Sequence, residues 1–379
     1  MQVGQERWSS AEGWVRSGAG PSPTDAQLVF VFGATDRLRD PARLAELSAL
    51  YPRALAFGCS TSGEIAGTQI FDDSIVVTAL LFESTEISAA STPIANEMDS
   101  YAAGRRLGEQ LPRERLSHVF VLSDGLKVNG SQLVEGLTGA LPKEVTVTGG
   151  LAGDGTRFEE TLVICGGQPQ SRMAAAVGFY GSRIRIGCGS LGGWDPFGPE
   201  RIITNASGNI LFELDGQSAL ALYKQYLGEH ARDLPASGLL FPLSVRRDEG
   251  DEATVRTILG IDETAQSMTF AGDMPVGARA RLMKANFDRL VDGATGAAQA
   301  SRIVNESATP DIALLISCVG RKLVLKQRTE EEVEAVRDVL GSETSFTGFY
   351  SYGEISPFVT TARCQLHNQT MTVTTFSET

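Results

Sequence analysis

Two stretches far apart in the chain, "GCSTSGEI" from Gly58 and "GFYSYGEI" from Gly348, share the pattern G-x-x-x-x-G-E-I, offset by 348 − 58 = 290 residues. Glycine supplies the positive φ of a sharp turn after a strand, so the chain is predicted to make one turn twice. The flanks agree. Before the first copy come the apolar run "LVFVF", the segment "DPARLAELSAL" and then "ALAFG". Asp40 can cap a helix with Pro41 in its first turn, and Leu44, Leu47 and Leu50 recur at helical spacing. Before the second copy come "IALLIS", "TEEEVEAVRDVLG" and "TSFTGFY". Thr329 and Glu332 have the spacing of a capping box, Val333, Val336 and Leu340 line one face, and Gly341 ends the helix. Strand-like runs follow each G-E-I, "SIVVTALLF" and "TMTVTTF". Each copy therefore reads strand, helix, strand, turn, strand.

A third unit lies between them. "HVFVLSDG" reads as a strand, "SQLVEGLTGAL" as a helix with Leu133, Leu137 and Leu141 on one stripe, and "VTVTGGLAGDG" as a strand entering a glycine-rich turn. "TLVICGG" and "AAAVGFYG" supply further strands, and Asp154 is the acid of this turn. Segments 28–83, 118–180 and 313–376 are thus expected to be related units, with Glu64 and Glu354 at equivalent strand-end turns. The fold class that follows is α/β with mixed sheets, in two domains built from the repeated units.

The turns have an architectural reading and a functional one. Glycine permits a positive φ, and an acidic side chain braces backbone N–H groups. The same features let a ligand approach the backbone while the acid fixes a polar group on it, and loops at strand ends are where sites gather.

Composition narrows the partners. A formal net charge of −13 argues against nucleic acid, whose phosphates need a basic face. No apolar run approaches the ~20 residues that span a bilayer. The opening "MQVGQERWSSAEGW" lacks the basic and apolar regions of a signal peptide. Five cysteines without a C-x-x-C pair fit reduced thiols, so a cytoplasmic location is expected.

Other motifs carry less chemistry. "GCGSLG" at Gly187 fits G-x-G-x-x-G, but Pro196 and Pro199 follow instead of a helix, so it reads as a connecting loop. "GCSTSG" is one residue longer than a nucleophile elbow. Cys59 stands on the turn after a strand as a possible nucleophile, with inert packing as its other reading. "ELDGQSALALYKQYLG" reads as a join between domains, and "VRTILGIDETAQSMTF" as a hairpin turning at Asp262 to Gln266.

The ordered set "GCSTSGEI", "GGLAGDG", "ELDGQSALALY", "SCVGRKLVLKQRTEEEV", "GFYSYGEI" and "LHNQTMTVTTFSE" resembles the FIST proteins, from about Leu28 to the C-terminus. The resemblance implies an N-terminal FIST domain over 26–212 and a C-terminal one over 213–379. It implies a bacterial sensory protein that binds a small ligand and signals to a separate partner such as a histidine kinase. Amino acids have been suggested as ligands for the family, and some members are haem proteins that sense nitric oxide. On this reading Ser60, Thr61, Glu64, Gly149, Asp154, Tyr352, Glu354 and His367 border one inter-domain cleft. If haem is the cofactor, His367 is the axial ligand, with Cys59, Cys318 and Tyr350 as other possibilities. No catalytic set assembles from the sequence. The competing reading is a Cys- or carboxylate-dependent hydrolase acting on a small substrate in the same cleft.

Overall fold

The computed structural model describes residues 1–18, 20–248, 253–302, 309–358 and 364–379. Three short β-α-β segments organise it. In each, a first strand and a second strand run parallel with helix between them, as a parallel pair requires. The pairs are Leu28–Gly33 with Leu55–Ser60, Leu116–Ser123 with Thr146–Leu151, and Ile312–Cys318 with Ser345–Ser351. A return strand then lies antiparallel on the other side of the first: Ile75–Leu81, Met173–Tyr180 and Met371–Glu378. A lead strand pairs with each return strand, namely Gln2–Ser9, Glu86–Pro93 and Ile184–Leu191. The mixed α/β class and the threefold repetition expected from the sequence are both present in this topology.

Between its second and return strands, each unit sends a short strand into the sheet of another unit, followed at its edge by Gln69–Phe71 in the first unit and Gln365–His367 in the third. Glu64–Ala66 of the first unit pairs with Ser345–Ser351 of the third. Val163–Cys165 of the second pairs with Leu55–Ser60 of the first, and Gly353–Ser356 of the third pairs with Thr146–Leu151 of the second. The exchange is cyclic. The third unit's segment 313–376 includes residues 359–363, which lie outside the described residues.

The inner faces of the three sheets share one core. Its aromatic contacts run between units: Phe30 to Phe120 at 5.5 Å, Phe32 to Phe349 at 4.8 Å and Phe179 to Phe376 at 5.1 Å between ring centroids. Helices cover the outer faces. Pro41–Leu50 packs on the first sheet, Ser100–Gln110 and Gly130–Ala140 on the second, and Phe287–Ser301 with Thr329–Leu340 on the third. Asp40 caps its helix as expected, its side chain accepting from the Ala42 N–H at 2.9 Å.

Two local readings change. Ile184–Leu191, expected as a loop, is a strand, and its glycines serve packing: a Cβ on Gly187 would stand 1.8 Å from the Ser301 carbonyl oxygen of the overlying helix. Glu332 does not reach back to cap its helix. It is fully buried against Arg321, accepting from Nε at 2.9 Å and Nη2 at 2.7 Å, and from the hydroxyls of Ser317 and Tyr350. A fourth, antiparallel sheet with its own core lies between the lead and first strands of the third unit, and within it Ile258–Asp262 and Ser267–Phe270 form the expected hairpin.

Candidate functional site

Gly58, Gly149 and Gly348 occupy one position of the three second strands, opposite Val31, Val121 and Leu315 of the first strands. A Cβ on any of them would come to 1.8 Å from that residue's carbonyl oxygen. Only glycine fits there. Four residues further along, the chains leave their sheets and meet. The Ser62 N–H donates to the Tyr350 carbonyl at 2.8 Å, the Gly153 N–H to Ser60 at 2.9 Å, and the Tyr352 N–H to Leu151 at 3.2 Å. Counted from the aligned glycines, all three donors share one position and all three acceptors another. The turns close a ring of backbone hydrogen bonds, each bond passing from one unit to the next.

Below this ring sit the two glutamates. Glu64 accepts from the Thr61 hydroxyl with one oxygen, and from the Ser74 hydroxyl at 2.6 Å and N–H at 3.3 Å with the other. Glu354 repeats the arrangement, with Ser351 Oγ at 2.7 Å, Thr370 Oγ1 at 2.9 Å and Thr370 N–H at 3.1 Å. Ser74 and Thr370 each stand just before a return strand, so each glutamate ties its turn to the start of that strand. Both carboxylates are buried. Burial pushes Glu64 up to about 7 against the Ser74 and Thr61 hydrogen bonds, and Glu354 up to about 8 against those from Ser351 and Thr370. Their oxygens are occupied within their own units.

Asp154 does not follow this pattern. It stands one position early, five residues after Gly149 where the glutamates stand six after Gly58 and Gly348. It binds the N–H groups of Phe158, Glu159 and Glu160 at 2.8–2.9 Å and the Tyr352 hydroxyl. Burial alone would raise its pKa, yet the Tyr352 hydroxyl and these donors hold it below the ordinary carboxylate value. It is therefore the ionised acid at the junction, and it joins the second unit to the third.

The rim holds groups that the sequence reading passed over. Lys322, one turn into the helix Val319–Leu325, donates from Nζ to the Ser62 carbonyl at 2.9 Å and to Asp72, and lies 5.4 Å from the centre of the Tyr350 ring. Phe158 stacks on Tyr352 at 4.6 Å between centroids and is half exposed. The Gly155 N–H donates to Ser62 Oγ at 3.1 Å. Lys322 and Ser62 both lie inside motifs that carried the family resemblance; they meet across 260 residues of chain, so spacing gave no signal of it.

The expected site residues therefore divide. Asp154, Tyr352 and the Ser60 and Thr61 backbone gather at the junction, while the side chain of Ser60 turns inward to accept from the Leu162 N–H at 2.9 Å. Gly149 shapes its strand. Glu64 and Glu354 brace the turns from within. Two surface concavities, one around Met98 and Arg172 and one between Trp14 and Leu50, include none of these residues. Cys59 is fully buried and burial pushes its thiol well above the ordinary value, which does not suit a nucleophile.

His367 is also fully buried, opposite Glu354 on the strand Gln365–His367. Its Nε2 lies 2.8 Å from the Ser356 carbonyl, and the edge of the Phe358 ring closes on it at 4.4 Å between centroids. Burial pushes its pKa down to about 4, so it is neutral. Haem would need a bare imidazole nitrogen facing a porphyrin-sized slot. His367 keeps a bare Nδ1, but its ring is fully buried with the Phe358 ring packed against it, and that surround does not fit a porphyrin.

The FIST N domain matches residues 27–217 and the FIST C domain residues 219–357. The chain belongs to the FIST family. FIST domains are sensory, which sets small-molecule sensing as the coarse function of this FIST protein. No curated protein matches the chain in sequence. Among solved structures, a cyanuric acid hydrolase from A. caulinodans is similar over 94% of this chain and 91% of its own, at 9% identity and a TM-score of 0.35. A likeness at that level supports neither a fold nor an activity for this FIST protein. Among the described residues no helix is long and apolar enough to cross a membrane.

Proposed function

We propose that this FIST protein senses a small polar ligand at the junction of the three turns and passes the change to a separate signalling protein, a histidine kinase being the kind of partner the family resemblance implies. The observation that carries the reading is the backbone ring that ties Ser62 to Tyr350, Gly153 to Ser60 and Tyr352 to Leu151. A ligand held there touches all three units at once. Each turn leads into a strand paired in a neighbouring sheet, so a shift of one turn is felt in two sheets.

The groups at the rim favour a compact ligand with separated charges. Lys322 and Arg157 bring positive charge, paired with Asp72 and Asp36, Asp154 brings a carboxylate held by backbone N–H groups and the Tyr352 hydroxyl, and Phe158 an exposed aromatic face. A compact molecule with separated charges meets those groups better than a porphyrin does, and His367 in this setting does not fit haem. The hydrolase reading would require Cys59 as a thiolate, which its burial opposes. Nor do Glu64 and Glu354, with both oxygens engaged, favour it.

The test is a thermal-shift screen of small zwitterions and polar metabolites, followed by calorimetry on the compound that stabilises the wild type most. Losing one charge-assisted contact at the rim should weaken that binding about tenfold in Lys322→Ala. Tyr352→Phe, which removes only the hydroxyl, should weaken it in the same direction. Unchanged affinity in both variants would place the ligand elsewhere.

A further inference from the structure

Because the fold repeats, one place can be compared across its three units. Counted from the matched pairs Gly33–Ile75, Ser123–Ala174 and Ser317–Met371 of first and return strands, Asp73, Arg172 and Gln369 share one position. All three have a positive φ, at 57°, 53° and 61°. Arg37, Lys127 and Arg321 share another, six residues beyond Val31, Val121 and Leu315 of the first strands. In the first unit the two positions hold an ion pair: Arg37 donates to Asp73 from Nε at 2.8 Å and from Nη2 at 2.6 Å. In the third they meet through Arg321 Nη1 and the Gln369 carbonyl at 3.4 Å.

In the second unit both positions hold cations. Lys127 and Arg172 are exposed, and among the described residues neither side chain forms an ion pair. One buried carboxylate holds them together. Asp124 Oδ1 accepts from the Lys127 N–H at 2.7 Å, and its Oδ2 from the Arg172 N–H at 2.9 Å. Those bonds fix the backbone and leave both side chains to line a concavity of about 400 Å³ with Ala95, Asn96, Glu97 and Met98. Like charges so placed repel. The acid that neutralises the first unit's cation is replaced here by a second cation, and a concavity lies against the two of them.

We infer that Lys127 and Arg172 bind the phosphate of a small phosphomonoester in this concavity, the phosphate taking toward them the role that Asp73 has toward Arg37. A phosphomonoester carries nearly two negative charges at neutral pH, which matches two cations where a carboxylate matches one. The planar guanidinium of Arg172 takes two phosphate oxygens at once, and Lys127 adds a point charge. Glu97, on the same lining, accepts from hydroxyls on the organic part and disfavours a second phosphate. Ala95 and Met98 offer apolar surface to its carbons. None of these residues belongs to the junction of the three turns, so the inference stands whether or not a ligand binds there.

The probe is glycerol 3-phosphate, added to the full-length protein at low salt because exposed charges are screened. Calorimetry should show saturable binding at one site, and the amide signals of Lys127 and Arg172 should shift at the same affinity. Glycerol, which lacks the phosphate, should move neither. Arg172→Gln and Lys127→Gln should each weaken binding about tenfold. Arg172→Asp, which restores the charge pattern of the Arg37–Asp73 pair, should abolish binding and raise the melting temperature of the free protein. Asp73 and Gln369 already hold this backbone geometry in the sister units, so both changes at 172 fit the fold. The inference is overturned if glycerol 3-phosphate moves neither amide, if glycerol moves them equally, or if Arg172→Asp binds the phosphate as the wild type does.

Discussion

At the scale of single residues, the three aligned glycines and the two buried glutamates do different work. Gly58→Ala or Gly348→Ala would drive a methyl into a carbonyl oxygen of the neighbouring strand, where neither partner can retreat. Each should destabilise the protein by roughly 3 kcal/mol or more, at the upper end of overpacking costs. Gly139→Ala, with nothing within 4 Å of its new methyl, serves as the control and should be neutral or slightly stabilising. Chemical denaturation of the three variants checks this. The glutamates make stability depend on pH in an unusual direction. Both have folded-state pKa values raised by burial, to about 7 and about 8, above the ordinary glutamate value of 4.5. Between those limits the folded protein binds more protons than the unfolded chain, so stability falls as pH rises through that window. Melting temperatures taken from pH 5 to 9 should decline, and Glu64→Gln with Glu354→Gln should flatten the slope. An unchanged slope would show that the carboxylates ionise as ordinary surface acids do.

At the scale of elements, the Arg321–Glu332 pair fastens two helices to the second strand of the third unit. Arg321 donates to Glu332 and to the carbonyls of Gly192 and Leu290, while Glu332 also takes the Tyr350 and Ser317 hydroxyls. Removing one partner strands the other charge. Arg321→Met should cost about 3–5 kcal/mol, and the double variant with Glu332→Leu should cost less than the two single changes added together. A double-mutant cycle by urea unfolding measures the difference. The same pair shows what sequence reading could and could not reach. The G-E-I turns were legible because their causes are local: the glycine meets the adjacent strand, and the brace lies three residues away at Thr61 or Ser351. Glu332 was misread as a cap because its spacing to Thr329 fits one, while its actual partner comes from the preceding helix. The strand at Gly187 was hidden because its glycines answer to the Ser301 carbonyl more than a hundred residues later.

At the scale of the whole molecule, the exchanged strands bind the units into one body. The first unit's crossing strand needs the third unit's sheet, and the second unit's second strand needs the third unit's crossing strand. Pairing over such distances leaves no periodicity, so the repetition was legible in the sequence and the exchange was not. Residues 1–217 expressed alone should lack a cooperative thermal transition, and residues 218–379 likewise, while the two expressed together should recover one. The most direct test of the sensing site is chemical-shift mapping of the amides of Ser62, Gly153 and Tyr352 with the ligand identified by the thermal screen. All three should shift together at one apparent affinity, because they share one ring. Ligand binding that leaves all three amides in place, with shifts confined to other surfaces, would contradict it.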